Sequence, residues 1–141
     1  MTPNEIALVR QGFDHIAPTG EAVGLAFYDR LFALDPSLRV LFRGDIRTQV
    51  GHLMAALGMV VRSLDNLAPV LERIQALGRR HGGYGVQPQH FATVGAAFLA
   101  TLDAGLGDAF TADARAAWTR AYETLAGAMI AAMAGPVTEA A

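Results

Sequence analysis

The chain of 141 residues contains no cysteine. Disulfides, thiolate nucleophiles, iron–sulfur clusters, cysteine-based zinc sites and cofactors tethered through C-x-x-C-H are therefore excluded. Lysine is absent too, all 11 basic residues being arginine, which removes Schiff-base catalysis and the P-loop lysine. Serine occurs only as Ser37 and Ser63, and neither stands in a G-x-S-x-G setting. A basic surplus is also missing. Net charge is −2 and the pI about 6.0, a poor match for nucleic acid. The longest apolar stretches, around 54–61 and 126–135, fall well short of the roughly 20 residues that span a bilayer. The opening Met1-Thr2-Pro3-Asn4-Glu5 has no basic-then-apolar signal pattern. The expectation is a cytoplasmic protein without nucleic-acid or membrane partners.

What is present reads as helix from end to end. Apolar residues recur at intervals of three and four, and alternation of the strand type is not sustained. No repeat or linker divides the chain, so residues 1–141 form one expected domain, with a frayed tail at about 136–141 after Gly135-Pro136. Thr2-Pro3-Asn4-Glu5 is a capping box that opens a first helix, which Pro18 and Gly20 end. A second helix, about 21–34, carries Val23, Phe27, Leu31 and Leu34 on one face, and Asp35-Pro36 stops it. A short turn at 36–42 follows. A fourth helix, about 46–63, has the stripe Gln49, Leu53, Leu57 and Val60. A fifth, about 68–80, meets the break Gly82-Gly83-Tyr84-Gly85. Pro88 starts a sixth, with Phe91, Val94, Phe98 and Leu102, ended by Gly105 and Gly107. Thr111 caps a last helix with the face Trp118, Tyr122, Leu125, Met129 and Met133. Six or seven unequal helices with tight breaks favour an all-α fold of crossing helices over an up-down four-helix bundle.

Chemistry-bearing residues are few, and each has a plain reading beside a functional one. His81 follows Arg79-Arg80 at a helix end, where a cation suits the helix dipole. It also fits a metal ligand. With no second histidine within a turn, a zinc site is poorly supplied. A metal held by one protein donor must bring its own chelator, as haem does. Gln49 lies on an apolar stripe, either reaching to solvent or placing a hydrogen-bond donor at a cavity mouth. Tyr28, on the inner face of the second helix, is either a core tyrosine bonded to a carbonyl or a second such donor. Phe42 alone reads as core. His15 reads as surface, His90 as packed or capping, and His52 as the edge of a pocket near Gln49.

Taken in order, Phe27-Tyr28-Asp29-Arg30-Leu31-Phe32, Asp35-Pro36, Leu41-Phe42, Leu77-Gly78-Arg79-Arg80-His81, Tyr84-Gly85-Val86, His90-Phe91, Val94-Gly95, Ala117-Trp118 and Ala121-Tyr122 resemble the globins. The similarity is nearest to bacterial single-domain haemoglobins and the globin part of flavohaemoglobins, and it runs from about residue 5 to 133. It implies a three-on-three globin fold around non-covalent haem b. His81 then matches the proximal iron ligand, and Phe42 the phenylalanine stacked on the haem. Gln49 matches the distal polar position, Tyr28 the distal tyrosine and Leu53 the apolar residue one turn on. Leu77, Val86 and Val94 match positions walling the proximal side. Arg80 is a candidate propionate partner, with Arg47 and His52 as further candidates.

The resemblance also implies function. Reversible binding of O₂, with CO and NO as other ligands, for carriage or storage is the first expectation. Nitric oxide dioxygenation with a separate reductase is the second, and a haem-based redox or gas sensor the third. A monomer or homodimer is expected. One departure matters. Flavohaemoglobins pair the proximal ligand with a tyrosine and a glutamate, positions held here by Phe91 and Met133. The expected partner of His81 is instead a backbone carbonyl such as that of Leu77, which points to a carrier-like neutral imidazole.

Overall fold

A computed structural model of the chain describes residues 1–42 and 44–133. The expected frayed tail at 136–141 lies outside the described residues. Six α-helices account for most of them: α1 (Pro3–Ile16), α2 (Gly20–Leu34), α3 (Ile46–Arg62), α4 (Leu71–Gly83), α5 (His90–Leu106) and α6 (Ala112–Met133). Short 3₁₀ segments lie at Ala17–Thr19, Pro36–Leu41, Ala68–Val70 and Gly107–Ala109. No strand occurs among the described residues.

The helix ends follow local chemistry. Thr2 Oγ1 accepts from the Glu5 N–H at 3.1 Å and the Glu5 carboxylate accepts from the Thr2 N–H at 2.8 Å, completing the capping box. Those Thr2 bonds hold the Glu5 carboxyl below its usual range. Thr111 Oγ1 caps α6 by accepting from the Ala114 N–H. Gly107 ends α5 at φ 55°, in the left-handed region that suits glycine.

Several boundaries differ from expectation: α4 begins at Leu71 after the 3₁₀ turn at Ala68–Val70, and α5 runs through Gly105 to Leu106. The first helix stops before Pro18, but Gly20 begins α2 instead of interrupting the chain. Pro88 opens a turn, with the Phe91 N–H on its carbonyl, and α5 proper begins at His90. The helix carrying His81 does not fail at Gly82. It runs through Gly83, because the Tyr84 N–H bonds back to the Arg80 and His81 carbonyls. One face assignment also changes. Leu34, the last residue of α2, overshoots the core and is exposed.

Helix α4 packs on α6, α2 on α5 and on α3, and α1 on α6. Two glycines set how closely these pairs approach. A Cβ built at Gly78 would stand 2.5 Å from the Met129 carbonyl oxygen, a main-chain atom that cannot step aside. One at Gly24 would meet Val50 Cγ1 at 2.5 Å. The core falls into three apolar clusters, centred on Trp118 with α1, on Phe27 and Leu31 with α3, and on Ile74 with α6. Between them the helices do not close.

Candidate functional site

The gap is an apolar cavity of about 230 Å³. One wall comes from α2, α3 and the turn after α2: Phe27, Tyr28, Phe42, Gln49, His52, Leu53, Ala56, Leu57 and Val60. The other comes from α4, α5 and α6: Leu77, His81, Phe91, Val94, Phe98, Trp118, Tyr122, Leu125 and Met129. The α3 stripe read from spacing therefore faces the cavity in full.

On the second wall His81 and Tyr122 are already engaged, whereas the buried Trp118 Nε1 has no hydrogen-bond partner among the described residues. His81 Nδ1 lies 2.6 Å from the Leu77 carbonyl oxygen. A carbonyl can only accept, so Nδ1 carries a proton, and Nε2 is the ring nitrogen that can offer a lone pair. The ring lies beside Phe91, with centroids 6.4 Å apart. Tyr122 donates its hydroxyl to the Phe91 carbonyl at 2.6 Å, tying α6 to the start of α5. Burial pushes the Tyr122 phenol above its ordinary pKa.

On the first wall Tyr28 and Gln49 are not engaged. Tyr28 is buried, and burial alone pushes its phenol up to about 12, so it is a neutral O–H donor at pH 7. Among the described residues neither its hydroxyl nor the Gln49 amide has a hydrogen-bond partner. The Tyr28 ring is held by edge contacts to Phe27 and Phe42, with centroids 5.0 and 5.3 Å away. Phe42 is held in turn by Phe32, over which Arg39 stacks.

Eight of the eleven candidate cofactor-contacting residues stand on the cavity wall: Tyr28, Phe42, Gln49, His52, Leu53, Leu77, His81 and Val94. The other three do not line it. Val86 packs into the Ile74 cluster behind α4. Arg80 is exposed beside His81. Arg47 is exposed and pairs with Glu21 at 3.6 Å. His15 is exposed, and His90 Nδ1 caps its own turn by accepting from the Gln87 N–H. Reading by face did mark Phe98, Trp118, Tyr122 and Leu125 as apolar, but not as lining a site. Their only signal was the helical spacing they share with ordinary core.

The donor set suits a chelated metal. Among the described residues no group of three or more metal-binding side chains comes together. His81 thus offers a single nitrogen, Nε2, to an apolar cavity whose other wall carries the unpaired donors of Tyr28 and Gln49. Such a site fits a planar macrocyclic iron complex and does not fit a bare ion.

A family model described as Globin matches residues 25–129. Neuroglobin of Tetraodon nigroviridis is 32% identical over 136 residues, covering 86% of each chain. The Flavohemoprotein of Vibrio cholerae serotype O1 is 30% identical over 129 residues, which span 89% of this chain but 33% of that longer one. Among solved structures, an engineered carbene transferase built on a protein described as a nitric oxide dioxygenase of Rhodothermus marinus superposes with TM-score 0.85 at 27% identity. It covers 95% of this chain and 94% of its own. A bacterial globin of Campylobacter jejuni shares the fold, with TM-score 0.84 at 22% identity over 94% and 96% of the two chains.

Proposed function

The chain belongs to the globin family, and from that premise we propose that it holds haem b without covalent attachment and binds O₂ reversibly, with CO and NO as competing ligands. Family membership implies haem binding. The observation that carries the residue assignment is the 2.6 Å bond from His81 Nδ1 to the Leu77 carbonyl. It leaves Nε2 as the lone-pair donor required of a proximal iron ligand.

Haem supplies reversible ligation of a diatomic gas at ferrous iron. The chain supplies the surroundings. Tyr28 and Gln49 are preorganised donors for the negative charge that a bound gas acquires, and they act in an apolar, low-dielectric space. Phe42, Leu53 and Val94 exclude water. Leu77 walls the histidine side, with Val86 packed behind it. Arg80, His52 and Arg47 are assigned to the propionates at the cavity edge. The partner of His81 is a carbonyl, and among the described residues no carboxylate hydrogen-bonds to it. A neutral imidazole favours binding and release over peroxidase-like chemistry.

A second reading, nitric oxide dioxygenation, is favoured by the relative described as a nitric oxide dioxygenase. Tyr28 and Gln49 serve it equally. It further requires a donor that returns ferric iron to ferrous after each turnover.

The test is an absorption spectrum of the haem-reconstituted protein, ferric, then reduced, then with CO. The expected result is a five-coordinate ferrous Soret band that shifts sharply on CO. A six-coordinate ferrous spectrum would put an internal ligand such as His52 on the iron and move the reading to sensing or redox. Failure to take up haem would overturn it.

A further inference from the structure

The α3 side of the cavity does not end where the haem contacts assigned above end. On α3 those stop at Leu53, while Val61 and Leu64 also line the cavity. Leu64 is eleven positions beyond Leu53, roughly 16 Å along a helix. Trp118, Ala121 and Leu125 of α6 share this inner lobe, and Val61 packs in one apolar cluster with Trp118 and Ala121. The side chains of the lobe offer no hydrogen bond. All but Trp118 are hydrocarbon, and Trp118 turns its Nε1 to α1, 2.8 Å from where a Cβ at Gly12 would stand. Water finds no polar partner in such a space, whereas an apolar void takes apolar guests of a few atoms. The lobe also ends close to solvent. Leu64 lines the cavity and is only half-buried. Just there Arg10 of α1 donates Nε to the Val61 carbonyl at 3.2 Å, and Nη2 to the Arg62 carbonyl at 2.9 Å and to the Asp65 carboxylate at 3.0 Å. One arginine thus clasps the end of α3 on both sides of Leu64. An ion pair as exposed as Arg10–Asp65 opens at little cost.

We propose that the inner lobe is a second binding site for small apolar molecules, the diatomic gases among them, and that Arg10 latches a way into it past Leu64, separate from the edge at Gln49 and His52. The site rests on the shape and chemistry of the cavity, and its use for gas rests on the haem-binding reading above. A guest in the lobe lies in the same cavity as Tyr28 and Gln49 without contact to the iron. Its binding makes and breaks no covalent bond. Opening of the latch sets how often a gas molecule passes through this end.

The probe is xenon, an apolar atom that makes no hydrogen bond. It is added to the haem-reconstituted protein with CO bound, and the valine and leucine methyls are followed by NMR. Saturable shifts should appear at Val61, Leu64 and Leu125 and be lost in Ala121→Leu, which fills the lobe. Shifts confined to Leu53 and Val94 would place the guest beside the haem and overturn the proposal, as would the absence of any saturable shift. CO association after flash photolysis tests the latch. Arg10→Gln should speed it about two- to fivefold, the change in opening that loss of an exposed ion pair brings. Arg120→Gln, which breaks another pair between α6 and α1, that with Glu5, should leave it unchanged. Adding Ala121→Leu to Arg10→Gln should cancel the gain. No gain in Arg10→Gln, an equal gain in Arg120→Gln, or a gain that survives filling of the lobe would each overturn the proposal. If Ala121→Leu does not fold, the xenon shifts of the wild type and the rates of the two arginine variants still decide. A protein that takes up no haem fails the reading above, whereas a haem-loaded protein whose Val61 and Leu64 methyls ignore xenon fails this proposal alone.

Discussion

The two walls of the cavity each carry a tyrosine, Tyr28 buried and Tyr122 half-buried, and the two have different fates. Tyr122 spends its hydroxyl on the Phe91 carbonyl, and beside it His81 spends Nδ1 on Leu77. Tyr28 is as apolar in its surroundings, yet its hydroxyl has no partner among the described residues, and neither has the Gln49 amide. Both stand on the cavity wall, where a ligand could take up the hydrogen bonds they do not make within the chain. On the function proposed above, the wall of His81 and Tyr122 is scaffold and the wall of Tyr28 and Gln49 receives the ligand.

Substitutions should separate the walls by effect. His81→Gly removes the one nitrogen donor and should produce the largest change. Haem affinity should fall on the order of a hundredfold or more, since outer-shell partners alone are worth about 10–100-fold. Haem titration checks this, and added imidazole should restore much of the loss. Tyr28→Phe should come next. One hydrogen bond to a charged group is worth roughly 1.5–3 kcal/mol, so the O₂ off-rate measured by flash photolysis should rise about tenfold or more with haem retention unchanged. An unaltered off-rate would erase the distinction between the walls.

Gly78→Ala forces a methyl against the Met129 carbonyl and should cost about 1–3 kcal/mol of stability in urea unfolding. It should also shift the iron–histidine stretch in Raman spectra, because His81 lies less than one turn away. Tyr122→Phe should cost about 1 kcal/mol in the same unfolding assay and leave the off-rate within about twofold. An off-rate change as large as that of Tyr28→Phe would make Tyr122 part of what receives the ligand.

The pH response should be the smallest effect. Burial raises both phenols above their unfolded value near 10. Their contribution to stability is then fully present below about pH 10. It is lost as pH climbs towards about 12, where Tyr28 ionises and the unfolded chain has already released its protons. Thermal melts should be flat in this respect from neutral to about pH 10 and fall above it, less steeply in either Phe variant.

The stripe Gln49, Leu53, Leu57 and Val60 was legible because spacing alone puts those residues on one face, and the cavity uses that face. His81 and its carbonyl partner were legible because both lie within one turn of one helix. Capping at Thr2, Thr111 and Gly107 was legible for the same local reason. Long-range pairing was not. Nothing local to Arg47 announces Glu21 as its partner, and nothing local to Tyr122 announces the Phe91 carbonyl, 31 positions away. The glycine break after His81 misled because two backbone bonds from the following turn carry α4 through it. Trp118 and Phe98 showed their apolar face but not the cavity, since spacing cannot tell a filled core from a hollow one.

The acceptor that sets the His81 ring is a main-chain oxygen from the preceding turn of the same helix. Every residue type has that oxygen, so the orientation places no demand on the side chain at position 77. It demands only the helix and the interval of four. A change of side chain at 77 therefore acts on the cavity wall and not on the setting of the imidazole, whereas a single inserted residue between 77 and 81 breaks the register at once. The ring's setting is written in counting, not in composition.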